Sequence, residues 1–92
     1  MLKIHRISPR GLEFYLTQIS ETDTRVTFGK KSILMPIPIE ELSQCWYNWQ
    51  MRGLTIQEAF PNVIPEYREF FLTGITPDEW NEIFNDKEEG EN

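Results

Sequence analysis

Six carboxylates in the second half of the chain are spaced in a way that could do chemistry. Glu66 and Glu69 stand three residues apart, as do Glu79 and Glu82, and Asp78, Glu82 and Asp86 follow at intervals of four. Residues three and four apart share one face of a helix, so each set would line up its carboxylates along one side. Such a row imitates phosphate charge. It can pair with arginines on a nucleic-acid-binding protein, where two-point contacts are strong. Asp78, Glu79 and Glu82 also form the one cluster that suggests Mg²⁺ or Ca²⁺, but no loop with oxygen-ligand spacing accompanies them. Capping and dipole roles already account for two of the three, so neither metal nor cofactor is expected.

Other reactive side chains are few. His5 is the lone histidine and Cys45 the lone cysteine. One of each is too little for a structural zinc site. Nucleophilic catalysis needs a base held beside a nucleophile. The composition leaves a His5–Cys45 pair across the fold as the arrangement to test, with Cys45 otherwise reading as a small, inert, core-facing thiol. No glycine-rich phosphate loop occurs. The expectation is a protein without enzymatic activity.

Two further surfaces are candidates. Tyr47 and Met51, four apart, fall opposite the apolar stripe of their helix. They form either an apolar patch for a partner or second copy, or a part of the monomer that another element covers. Arg25, Lys30 and Lys31 flank Phe28, and Arg10 lies near Phe14 and Tyr15. Basic residues mixed with aromatics on a sheet can stack single-stranded nucleic acid. Against this, Phe14 and Phe28 fall on the core-facing alternation.

The elements that must hold these residues are marked by strong punctuation. In Thr73-Gly74-Ile75-Thr76-Pro77-Asp78-Glu79-Trp80, Gly74 suits a left-handed helix end. Thr76 with Glu79 forms a capping box, Pro77 suits a first helical position, and Ile75 with Trp80 a hydrophobic staple. Two helices therefore meet there at a fixed angle. Pro65 opens the helix that runs to Gly74. Thr55 with Glu58 predicts a second capping box, starting a single turn that Pro61 ends. Ile39, Leu42, Trp46 and Trp49 recur at helical spacing with Cys45 at the stripe's edge, and Gly53 ends that helix. Pro36 and Pro38 mark the boundary before it.

The first third alternates at period two. Leu2 to Ile7, Leu12 to Thr17, Arg25 to Phe28 and Ser32 to Met35 read as three or four antiparallel strands, with turns at 8–11 and Gly29-Lys30 and a loop at 20–24. A short helix over 12–19 is the alternative. The expected fold is α+β: a small antiparallel sheet, then a three-helix C-terminal part with one extra short turn. Residues 1–86 would form one domain, with 87–92 a disordered acidic tail.

Composition bounds the rest. The chain has 92 residues, and its single cysteine fits a reducing compartment. No signal-peptide pattern or membrane-length apolar run is visible, so a cytoplasmic protein is expected, with no membrane partner. Charge divides sharply. Residues 1–37 carry six basic side chains against three acids, a balance of +3. Residues 38–92 carry three against twelve, −9, which together give the net −6. An acidic half repels nucleic acid and suits a basic protein surface, although simple solubility also explains it.

Gly53, Ile56-Gln57, Ala59-Phe60-Pro61, Arg68-Glu69-Phe70, Thr73 to Pro77, Glu79-Trp80 and Phe84 form a pattern over roughly residues 42–84. It resembles one found in small, mostly uncharacterised proteins of bacteriophages and gut bacterial mobile elements. The resemblance implies an accessory protein acting in the bacterial host cell, of a kind that is often small, acidic and non-enzymatic and that sometimes blocks host defence nucleases. The expected function is therefore protein binding. Glu66, Glu69, Asp78, Glu79, Glu82, Asp86, Tyr47 and Met51 would form the partner-binding surface against a basic host protein, with a homodimer through Tyr47 and Met51. The alternative is a nucleic-acid-binding regulator that uses the basic N-terminal sheet.

Overall fold

A computed structural model of the protein describes residues 2–83. The strands β1 (Lys3–Ile7), β2 (Glu13–Gln18), β3 (Thr24–Phe28) and β4 (Lys31–Met35) form one antiparallel sheet in the order β1-β2-β3-β4. Helices α1 (Ile39–Met51), α2 (Ile56–Ala59) and α3 (Pro65–Thr73) follow. A further helix, α4, occupies residues 77–83 of the described chain. The fold is α+β. Among the described residues no helix is long and apolar enough to cross a membrane.

The register explains the two faces of the sheet. Ile4, Leu16, Val26 and Ile33 align across it, and Phe14 stands beside Phe28 at 5.0 Å between ring centroids. These point toward the helices. His5, Tyr15, Thr27 and Ser32 make an opposite row, as do Lys3, Thr17, Arg25 and Leu34, and both rows face outward. Alternation at period two thus places residues 13–18 in a strand, and the helical alternative for 12–19 does not form. Thr24 departs from the loop expected at 20–24: it opens β3, fully buried, and its hydroxyl donates to the Ile37 carbonyl at 2.7 Å. A hydroxyl whose hydrogen bond is satisfied can be buried in the core, so a polar residue here does not imply a loop.

The turns follow local chemistry. Gly29 sits at φ +61 while Lys30 keeps a negative φ, the pattern of a type II′ hairpin. Pro38 lies immediately before α1, and Glu40 and Glu41 fill its first turn. The α1 stripe of Ile39, Leu42, Trp46 and Trp49 is buried as its spacing requires. The core is dominated by aromatics. Phe14 meets Trp46 at 5.2 Å and Phe70 at 5.5 Å, and Trp46 meets Phe71 at 4.9 Å and Phe60 at 5.8 Å. Tilted and edge-on ring pairs of this kind contribute about 0.5–1.5 kcal/mol each beyond their burial.

Two polar pins seat α1 on β1. Arg6, which shares the inward face with Phe14, donates to the Ser43 hydroxyl at 2.7 Å. The Trp46 indole donates to the Ile7 carbonyl at 3.1 Å.

Candidate functional site

The acidic side of the molecule is built by the α3–α4 elbow. Pro65 starts α3, and Gly74 ends it at φ +76. Gly74 is also a point of close approach, because a Cβ built there would lie 2.5 Å from the Phe28 ring. The elbow then closes through the capping box. Thr76 N–H donates to Glu79 Oε1 at 2.8 Å, and Glu79 N–H donates to the Thr76 hydroxyl at 3.2 Å. Lys31 of β4 clamps it to the sheet, with its ammonium 3.0 Å from the Gly74 carbonyl and 3.1 Å from Glu79 Oε1. The Thr76 N–H, and after it Lys31, hold the Glu79 carboxyl below the usual glutamate range. Glu79 is thus committed to the elbow, although it belongs to the expected partner surface.

The other acids remain available. Glu66, Asp78 and Glu82 are exposed and Glu69 is half-buried, and none of the four has an ion pair among the described residues. Glu66, Glu69 and Asp78 line two grooves, and Glu82 lies outside both linings. One, of about 560 Å³, runs between α3 and α4, with Glu66 and Glu69 on one wall and Pro77, Trp80 and Asn81 on the other. The second, of about 590 Å³, lies between the β4 edge and the elbow, where Ile33 faces Ile64, Tyr67 and Pro77 beside Glu66 and Asp78. Glu66 and Pro77 belong to both. The row through Asp78 and Glu82 has its third expected member, Asp86, outside the described residues, as are Phe84 and the expected tail at 87–92.

Tyr47 and Met51 lie on the outer side of α1, 52% and 66% exposed. Together with Ile7, which is also exposed, they line a shallow groove beside His5 and Gln50. No described element covers them, and they are separate from the acidic side.

The basic sheet is divided. Phe14 is buried and Phe28 packs against the core, so neither presents a stacking face. Lys31 is turned inward into the elbow. Lys3, Arg25 and Tyr15 remain on the open face, the Lys3 ammonium lying 5.0 Å from the Tyr15 ring centroid. His5 joins them, stacked on Tyr15 at 4.9 Å and bonded to Glu13 at 3.0 Å.

Cys45 is half-buried, and burial, with Glu41 second, pushes its thiol above the ordinary range. That is the reverse of nucleophile activation. Among the described residues no group of three or more metal-ligating side chains converges.

The expected residue set lacked Lys31 as a structural clamp, and Ile33, Ile64 and Tyr67 as groove walls. The signal for Lys31 was present. It pairs with Phe28 across a two-residue turn, and paired residues point to the same face. No family model, no curated protein and no solved structure matches this chain.

Proposed function

We propose that this chain is a non-enzymatic protein-binding module whose working surface is the acidic side formed by α3 and α4. One observation carries the proposal: Glu66, Glu69 and Asp78 line two adjoining grooves, with Glu82 exposed on the same α4 helix, and none of the four has an ion-pair partner among the described residues. Carboxylates around an apolar depression attract a basic surface and give it something to bury. In its sharper form, which the sequence resemblance motivates, the protein is a phage-type inhibitor in the bacterial cytoplasm. It would occupy the arginine-rich, nucleic-acid-binding surface of a host defence protein. The test compares wild type with Glu66→Lys/Glu82→Lys against a partner purified from host lysate. Slower association of the variant, with the loss shrinking as salt rises, supports the proposal. Equal affinity at low salt excludes the acidic side.

A second reading rests on the open sheet face, where Lys3 and Arg25 flank the exposed Tyr15. There the protein would be a small nucleic-acid-binding regulator. Binding to an oligonucleotide that weakens linearly in log salt, and is lost in Tyr15→Ala, would favour it.

A further inference from the structure

The two edges of the sheet are not alike. Hydrogen-bond parity can be followed across the sheet from bonds at its ends. Gln18 N–H donates to Leu2 O at 2.8 Å and Ser8 N–H to Leu12 O at 2.8 Å, so residues 2, 4, 6 and 8 turn their backbone groups toward β2. Lys3, His5 and Ile7 therefore turn theirs toward the free edge. Two of the six groups on that edge are taken, since Arg6 donates to the His5 carbonyl at 3.1 Å and Trp46 to the Ile7 carbonyl at 3.1 Å. Ile19 N–H donates to Asp23 O at 3.1 Å, which carries the same alternation into β3. Thr24, Val26 and Phe28 thus bond to Met35, Ile33 and Lys31, and Ser32 and Leu34 direct their N–H and C=O groups outward. Among the described residues nothing bonds to those four groups, and Leu34 is 46% exposed. An unprotected strand edge is a template for another strand.

We infer that β4 receives a fifth, extended strand supplied by a partner protein, whose inward-facing side chains are lysine or arginine. The inference rests on the protein-binding function proposed above and names the form in which the partner arrives. A strand paired to Ser32 and Leu34 lies about 4.8 Å beyond β4 and turns alternate side chains to the helix side of the sheet. On that side lies the 590 Å³ groove, with Ile33, Ile64 and Tyr67 as apolar walls and Glu66 and Asp78 as carboxylates. Lys31, which lines the same groove, is already committed to Glu79 and the Gly74 carbonyl. Backbone pairing supplies the affinity and the carboxylates select basic side chains, as in strand addition generally. A second copy of this chain fits poorly. Pairing β4 with its own copy brings two such acidic walls together on chains of net charge −6. Residues 86–92 of this chain, with four carboxylates against Lys87, are also the wrong sign.

The probe is a capped peptide about eight residues long in which lysine or arginine alternates with valine or threonine. Two measurements are made: fluorescence anisotropy for affinity, and amide hydrogen exchange read by NMR. The expected result is saturable binding that slows exchange at Ser32 and Leu34. N-methylation of the peptide's alternate amides should weaken binding by about tenfold or more, since several backbone hydrogen bonds are lost together. Leu34→Pro should weaken it comparably, as it removes an outward N–H where an edge strand tolerates proline. The N-methyl peptide keeps the test independent of how that variant folds. Binding that leaves Ser32 and Leu34 exchange unchanged but is lost in Glu66→Lys/Glu82→Lys overturns the strand proposal and leaves the acidic side standing. Absence of peptide binding at low salt also overturns it, while the purified-partner comparison decides the broader function separately. Concentration-dependent protection of Ser32 and Leu34 in the protein alone, with a dimer by sedimentation, overturns it in favour of a second copy.

Discussion

Replacing Gly74 by alanine should be among the most damaging single-methyl changes possible in this chain, for two separable reasons. The residue sits at φ +76, where a Cβ meets the neighbouring carbonyl and costs roughly 1–2 kcal/mol. The same Cβ would lie 2.5 and 2.7 Å from two atoms of the Phe28 ring. That ring cannot simply swing away, because it packs against the core and stands 5.0 Å from Phe14. Forcing a methyl group into such a site costs roughly 1–3 kcal/mol more. Together the two effects predict a loss of roughly 2–5 kcal/mol, or about 10–30 °C in Tm for a chain of this size. Gly53 provides the control. It has φ +69, but nothing lies within 4 Å of its Cβ position, so Gly53→Ala carries the backbone strain alone. Urea and thermal melts of both variants measure the difference. Adding Phe28→Leu should recover part of the loss in Gly74→Ala and none in Gly53→Ala, as coupling between neighbours requires. Equal destabilisation by the two alanines, within about 0.5 kcal/mol, would refute the close approach of the elbow to β3.

Three further outcomes are expected. Thr76→Ala should lower stability by about 1 kcal/mol through loss of the cap, and an unchanged denaturation midpoint would mean that α4 does not start there. Glu79, whose folded pKa is depressed, adds stability that is present above the ordinary glutamate value of 4.5 and is lost as pH falls through the lower folded value. Glu79→Gln should therefore flatten the acid limb of a stability–pH curve. Parallel curves for the two proteins would sink this account. Glu58, depressed by the Thr55 N–H, leaves a residual slope in both. Finally, the uncovered Tyr47 and Met51 predict self-association as a two-fold dimer; sedimentation at micromolar concentration giving only an 11 kDa species counts against it.

Much of the fold was legible because its signals are local. The capping boxes at Thr55 and Thr76, the αL glycines at 53 and 74, and the stripe through Trp46 and Trp49 each depend on residues within a few positions of one another. Thr24 was not legible. Its position continues the inward alternation of Val26 and Phe28, but its hydroxyl reads as polar, and the carbonyl that satisfies it lies thirteen positions away, where no local pattern reports it. The candidate site was legible only in part for the same reason. Spacing put carboxylates on helix faces, but it could not show that Glu79 would be used by Lys31, or that Ile33 would face Ile64 and Tyr67 across a groove. Those relations are set by how the elbow docks on the sheet edge.

That docking also changes what the charge asymmetry means. In the sequence, a balance of +3 in residues 1–37 and −9 thereafter suggests two working surfaces of opposite sign. In the structure, two of the six basic residues of the first part are internal pins: Arg6 holds α1 through Ser43, and Lys31 holds the α3–α4 elbow through Gly74 and Glu79. A third, Lys3, lies over Tyr15, and Glu13 stands on the same open face. The outward sheet is therefore less basic than the composition implies, and its exposed aromatic already carries a cation. The acidic side gives up only Glu79 to the elbow. Glu66, Glu69 and Asp78 keep their charge facing the grooves, where partly apolar walls reduce screening relative to open surface, and Glu82 keeps its charge on the exposed side of α4. The imbalance is thus larger in space than in sequence and favours a positively charged partner. Such a partner also finds, at Ser32 and Leu34, a sheet edge none of whose outward backbone groups is bonded among the described residues.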